Sequence, residues 1–330
     1  MRRLLKWLEF IIIMAVIGLV GFLGYVLYFL PNVGPPPELV VQPTAARLSR
    51  GAYLCNYVCG CLDCHSRRDM NQFGGPVLAS TLGAGGEIFN NREGLPGTFI
   101  SPNITPFGIG NWTDGEVFRA ITSGEDRDGK ALFPIMPYLH FGRMDTADIY
   151  AIITYIRTLP SIPTHWGVSH PDFPMDIIIH TLPKKPGFRP VPLKSDSVDY
   201  GKYLFNAANC NECHTPKMKG KPIPALRLAG GQVFRFPDGD IVRSANITPD
   251  MATGIGSWSK STFIRQFKKY QDIKRKPVAV HPGEFQTIMP WWNFSGMTPE
   301  DLGAIYAYLR TVPPIHHLVQ NFTPAVRKRN

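Results

Sequence analysis

The chain has 330 residues, long enough for two domains of ordinary size with a core each, and a formal net charge of +10. The charge is uneven: residues 47–160 hold ten Lys and Arg against eleven Asp and Glu, residues 196–313 fifteen against ten, and the C-terminus adds Arg327, Lys328 and Arg329. A basic second half suits an acidic partner protein, anionic lipid or a plain solvated face, whereas the export segment described next excludes nucleic acid.

Residues 1–46 are expected to form a transmembrane anchor (about 8–30) and a Pro-rich tether. Phe10 to Leu30 is a 21-residue run without a charge, long enough to cross a hydrocarbon layer of roughly 30 Å as a helix. Arg2, Arg3 and Lys6 precede it, which places that end in the cytoplasm. No small-x-small site follows Leu30, so an uncleaved anchor is favoured over a cleaved signal. The body then lies on the periplasmic side of a bacterial inner membrane, where thiols can oxidise. Residues 31–46 read as a stiff tether.

An internal repeat organises the rest. Gly51-Ala52-Tyr53-Leu54 matches Gly201-Lys202-Tyr203-Leu204, Asn103-Ile104-Thr105-Pro106 matches Asn246-Ile247-Thr248-Pro249, and Gly108-Ile109-Gly110-Asn111-Trp112 matches Gly254-Ile255-Gly256-Ser257-Trp258. The expected domains are 47–160 and 196–313, with a linker over 161–195 and a basic tail over 314–330. Each half closes with a helix. Asp145 and Thr298 are its N-caps, Asp148 and Asp301 complement its N-terminus, and Pro160 and Pro313 end it. One further helix per half is expected, at about 113–123 and 260–271. Few period-two runs appear, so the fold class is mainly α, with long loops and a thin core.

The chemistry centres on Cys61-Leu62-Asp63-Cys64-His65 and Cys210-Asn211-Glu212-Cys213-His214. C-x-x-C-H is the attachment signature of c-type haem. Two thiols one helical turn apart form thioethers to the vinyl groups, and the next His reaches the iron. A zinc ribbon would not account for the His after each pair or for the repeat around it. Each half also offers a Met followed by Pro, Met136-Pro137 and Met289-Pro290, as a sixth ligand, with His140 a competitor in the first half. A neutral thioether favours the ferrous state. Met144 and Met297 precede the N-caps and are assigned to packing.

These motifs, with the closing Tyr-[Ile/Leu]-Arg-Thr-[Leu/Val]-Pro, make the two halves resemble class I cytochrome c domains in tandem. They are similar to the cytochrome c subunits of bacterial membrane-attached alcohol, aldehyde and gluconate dehydrogenases and to anchored respiratory dihaem cytochromes. The resemblance implies two covalently bound haem c groups, one on Cys61, Cys64, His65 and Met136 and one on Cys210, Cys213, His214 and Met289. It implies that Gly51 and Tyr53 pack near Tyr155, and Gly201 and Tyr203 near Tyr308. The function implied is single-electron transfer in a periplasmic respiratory or dehydrogenase-linked chain, with no catalysis by the chain alone. Partners would be a quinol-oxidising complex, a dehydrogenase, a soluble cytochrome or a terminal oxidase. The alternative is a dihaem peroxidase or thiosulfate-oxidising enzyme with one labile haem ligand.

Three further features call for a reading. Cys55 and Cys59, at i and i+4, read as buried thiols, a strained disulfide or a redox pair. Asn103 and Asn246 fit the glycosylation pattern, but their repetition reads better as a loop the fold needs. The basic run from Lys268 to Lys276 is a solvated surface or a docking site.

Overall fold

The structure is a computed structural model describing residues 2–218, 220–271 and 278–325. The basic run therefore lies outside the described residues over 272–277, as do Arg327, Lys328 and Arg329. Helices dominate, and the strands are only two to four residues long.

The first helix, Arg2–Phe29, is long and apolar enough to cross a bilayer. Its side chains are exposed along almost its whole length, except Val26, which is 2% exposed. Aromatic pairs mark both ends: Trp7 meets Phe10 edge-on, and Tyr25 stacks on Phe29 at 5.9 Å. Trp and Tyr favour the two faces of a membrane because each ring has an apolar body and a polar tip.

Each half then follows one plan. In the first, Thr44 caps the opening helix Ala45–Tyr53, which continues through one wide turn closed by Cys59 N–H on Leu54 O (2.7 Å). Gly60, left-handed at φ 66°, starts the attachment helix Cys61–Cys64. In the second, Asp196 caps Ser197–Ala207, and Asn209, left-handed at φ 56°, starts Cys210–His214. The closing helices, Thr146–Ile156 and Pro299–Leu309, carry Asp145 and Thr298 as N-caps, as expected. The middle helices are Asp114–Ser123 and Lys260–Lys268. The second is shorter than expected because the chain turns out at Tyr270, whose ring stacks on Phe73 of the other half.

Opening and closing helices meet backbone to backbone. A Cβ on Gly51 would lie 1.9 Å from Ala151 O, and one on Gly201 1.9 Å from Ala304 O. Around these crossings Leu54, Leu62, Ile149, Ile152, Leu204 and Leu302 are fully buried, and Met144 and Met297 lie in the same core.

The halves are joined reciprocally, which the sequence did not suggest. Tyr53 Oη donates to Asp301 (2.5 Å) and accepts from Thr298 N–H; Tyr203 Oη donates to Asp148 (2.6 Å) and accepts from Asp145 N–H. Each tyrosine thus grips the start of the other half's closing helix. Gly51 does pack beside Tyr155, whose Cβ would lie 2.8 Å from a Cβ on the glycine, whereas the hydroxyls of Tyr155 and Tyr308 are met by Asn56 and Arg227, which donate to them. Asp148 and Asp301 accordingly serve the interface, and Asp148 also receives both arms of Arg50 at 2.8 Å. Burial, then the neighbouring carboxylates, push both phenols far above their ordinary pKa, so they stay donors.

Residues 31–46 are not a free spacer. Val41 N–H donates to Asp114 (2.9 Å), Arg119 to Gly34 O, and Gly115 lets Pro37 O approach to where a Cβ would stand. The segment is packed on the middle helix, so the body is held to the segment leaving the first helix.

Tyr203→Phe removes a hydrogen bond to a buried carboxylate and should cost about 1.5–3 kcal/mol. Gly201→Ala overpacks a backbone contact and should cost about 1–3 kcal/mol. Equilibrium denaturation of each variant checks both values; an unchanged midpoint for Tyr203→Phe would mean that the bridge does not stabilise the folded chain.

Candidate haem centres

After each attachment helix the chain folds back through a loop pinned in the same way in both halves. Gly85 N–H donates to His65 O and Gly230 N–H to His214 O, both at 2.8 Å. A Cβ on either glycine would fall within 2.5 Å of the neighbouring loop's backbone, and both have positive φ, so only glycine fits.

That neighbouring loop orients the histidines. His65 Nδ1 lies 2.9 Å from Pro102 O, and His214 Nδ1 lies 2.7 Å from Ala245 O. A carbonyl only accepts, so Nδ1 carries the proton and the lone pair of Nε2 is left for another partner. Metal-binding imidazoles are held in this way. Withdrawal from water also lowers both imidazole pKa values, favouring the neutral form.

The Asn-Ile-Thr-Pro stretches hold these carbonyls in place. Asn103 Oδ1 accepts from Thr105 N–H and Oγ1, while its Nδ2 donates to Ile162 O at 2.8 Å. Asn246 repeats the pattern with Thr248 and Ile315 O. Both asparagines are buried and fully committed, which favours the loop reading over glycan acceptors.

Cys61, Cys64, His65 and Met136 line the same cleft as Cys210, Cys213, His214 and Met289. Its volume is about 1980 Å³, about twice the upper end of the roughly 300–1,000 Å³ range for small-molecule sites. Its walls include Ile109, Val117, Ile152 and Phe294. All four attachment thiols are free, and burial pushes Cys64 and Cys210 up to about 12. Met136 and Met289 are half-buried at the starts of matching turns, Tyr138 N–H donating to Met136 O and Trp291 N–H to Met289 O.

The fit to haem shows in the cleft wall as well. Asn293 is 1% exposed, neither polar atom of its amide has a partner among the described residues, and it sits against Gly60 at the start of the first attachment helix. A buried amide without a partner is costly, and a group filling the cleft can supply one. The paired thiols, the oriented imidazoles, the thioethers and the apolar walls together suit covalent haem.

His140, the competing ligand, points instead across the interface: its Nε2 lies 3.5 Å from Glu212 of the second attachment helix. That contact and Lys217 hold the Glu212 carboxyl down to about 2. Cys55 is fully buried and Cys59 half-buried at the cleft edge, both as free thiols with pKa values raised by burial. The sequence reading had no signal for Pro102, Ala245 or Asn293. The first two act through the backbone, and the third stands where the repeat has His140.

Comparison with known proteins agrees with this geometry. Residues 198–313 match the cytochrome c family model. Over 294 residues the chain is 29% identical to the alcohol dehydrogenase (quinone), cytochrome c subunit of Gluconacetobacter polyoxogenes, covering 84% of this chain and 58% of that one. It is 28% identical over 295 residues to the fructose dehydrogenase cytochrome subunit of Gluconobacter japonicus, covering 84% and 54%. It is 28% identical over 293 residues to a diheme cytochrome c-type protein of Cereibacter sphaeroides, covering 84% and 90%. The chain thus spans little more than half the length of these dehydrogenase subunits. The cytochrome c family carries covalent haem c.

Asn246→Ala should free the Ala245 loop and cost about 1–3 kcal/mol, since Thr248 N–H loses its acceptor and Ile315 O the shorter of its two donors. Denaturation measures the loss. A ferric spectrum altered for one centre would show that the His214 ring had lost its orientation, and an unaltered one that the loop holds without Asn246.

Proposed function

We propose that the chain is a membrane-anchored dihaem cytochrome c that transfers single electrons as the cytochrome subunit of a periplasmic dehydrogenase or respiratory chain. Residues 47–160 and 196–313 are tandem class I cytochrome c domains, preceded by the anchor and tether over 1–46, joined by a linker over 161–195 and followed by a tail over 314–330. The observation that carries this reading is the repeated imidazole, fixed through Nδ1 by a backbone carbonyl at the edge of a cleft shared by both Cys pairs.

Cys61, Cys64, His65 and Met136 would hold one haem, and Cys210, Cys213, His214 and Met289 the other, the thiols through thioether bonds and the imidazoles and methionine sulfurs through the iron. When bound, haem supplies an iron centre that takes up and releases one electron. His65 and His214 present a neutral nitrogen already aimed, so binding requires little rearrangement. Met136 and Met289 contribute a thioether that favours the reduced state. Pro137 and Pro290 remove a donor and stiffen each Met loop. The reciprocal Tyr–Asp bridges hold the halves together and so fix the separation of the centres.

The names of the relatives support a dehydrogenase as partner; a quinol-oxidising complex, a soluble cytochrome and a terminal oxidase are the other partners of this reading. Arg2, Arg3 and Lys6 before the apolar helix support a cytoplasmic N-terminus and periplasmic haem domains in a bacterial inner membrane.

The purified full chain should hold two haem c per polypeptide and titrate as two low-spin, one-electron waves. Carbon monoxide should not bind the reduced protein; binding to the unaltered chain would refute closed His/Met centres and favour the peroxidase alternative. Met136→Ala and Met289→Ala should each open one centre to carbon monoxide. Cys61→Ala combined with Cys64→Ala should halve the haem content measured as pyridine haemochrome.

A further inference from the structure

The membrane helix does not leave the body through a free joint. Its last turn is packed against the linker segment Met175–Thr181, and His180 Nδ1 lies 3.0 Å from Leu30 O. Val26, 2% exposed, is the one buried side chain of the helix and lies within the turn preceding Leu30, with Leu23 and Gly24 partly covered before it. Val26 lies three residues before Phe29, about 4.5 Å along the axis at 1.5 Å per residue. The linker therefore reaches back alongside the helix to the level of the stacked Tyr25–Phe29 pair. If the helix spans a bilayer, that level is the boundary between headgroups and acyl chains.

At the same end the surface is apolar. Tyr28 is 85% exposed, Phe29 68%, and on the linker Phe173 is 79% and Ile178 41% exposed. The carboxylates of the segment are Asp172 and Asp176. Asp172 receives a weak contact from Asn91 (3.4 Å), and Asp176 accepts from Ile177 N–H at the start of its own helical turn. Solvated carboxylates beside exposed Phe and Ile suit headgroup depth and exclude the hydrocarbon centre.

We propose that the linker surface around Phe173 and Ile178 is a second membrane contact, seated on the phospholipid of the leaflet from which the helix emerges. The inference rests on the anchored reading above. The occupant is lipid because the surface is continuous with the last turn of the spanning helix and lies at its depth. With a helix and an adjoining patch both engaged, the body cannot turn about the helix axis. Leu30, Pro31, Met175 and Ile179, which line the cleft, then hold its near end against the membrane face.

The test uses the full chain in phosphatidylcholine–phosphatidylglycerol nanodiscs, with p-benzoyl-phenylalanine replacing Phe173, Ile178 or, as reference, Tyr28. Each variant is first required to show the parent's visible spectrum, so that misfolding is recognised. Illumination should give phospholipid adducts at all three positions, read by mass spectrometry, with yields at 173 and 178 within a few-fold of that at 28. Adducts at 28 but none at 173 and 178 would overturn the second contact and leave the anchor standing. No adduct at any position would overturn both, while the spectrum and redox titration would still report on electron transfer.

Discussion

Everything in each half hangs from the crossing of its opening and closing helices. At Gly51 over Ala151 and Gly201 over Ala304 the two backbones touch, and no side chain fits between them. The attachment helix follows the opening helix within a few residues, and the Met loop ends just before the closing helix. The crossing therefore sets the distance between His65 and Met136, and between His214 and Met289, although each pair is about 70 residues apart in sequence. A methyl group at the crossing would push the helices apart and move both walls of the cleft at once. Interiors are packed too densely to absorb such a shift locally.

What was legible in the sequence was whatever a residue type encodes by itself. Two thiols and a His at fixed spacing, a Met before a Pro, an N-cap before an apolar stripe and an uncharged 21-residue run each carry their own physics. The N-caps open the closing helices, the uncharged run is helical to Phe29, and the thiols, His and Met line one cleft. The parts that orient the site were hidden for a different reason. Pro102 and Ala245 act through carbonyls, which every residue has, so no pattern of side chains announces them. Tyr53 and Tyr203 were expected inside their own halves because a repeat read one copy at a time contains no information about how copies meet. The Pro-rich stretch after the helix announced stiffness, but its docking depends on Gly115 lying open to receive it.

The repeat does not make the two centres equal. Where the first Met loop carries His140, reaching Glu212 of the second attachment helix, the second carries Asn293, facing Gly60 of the first. The position before Gly51 is Arg50, paired with Asp148, and the position before Gly201 is Tyr200, beside Asp301. One attachment helix thus has an ionised carboxylate clasped by Lys217, and the other has a neutral amide at its start. Charge, hydrogen bonding and burial around a haem are the protein's means of setting its potential. These crossings give two similar folds different surroundings.

Two ion pairs stand on the cleft walls. Arg68 holds Glu87 at 3.0 Å and Lys217 holds Glu212 at 2.6 Å. A single electron arriving in such a cleft meets fixed dipoles and committed ion pairs, which do not have to reorganise to receive it. The same economy extends outward. The halves are tied by reciprocal Tyr–Asp bridges, the first half is tied to the segment leaving the first helix, and the linker between the halves packs on that helix and meets Leu30 through His180. From the last turn of the first helix to the second His the path runs through packed elements, so the rigidity that orients each imidazole also fixes where both stand relative to that helix.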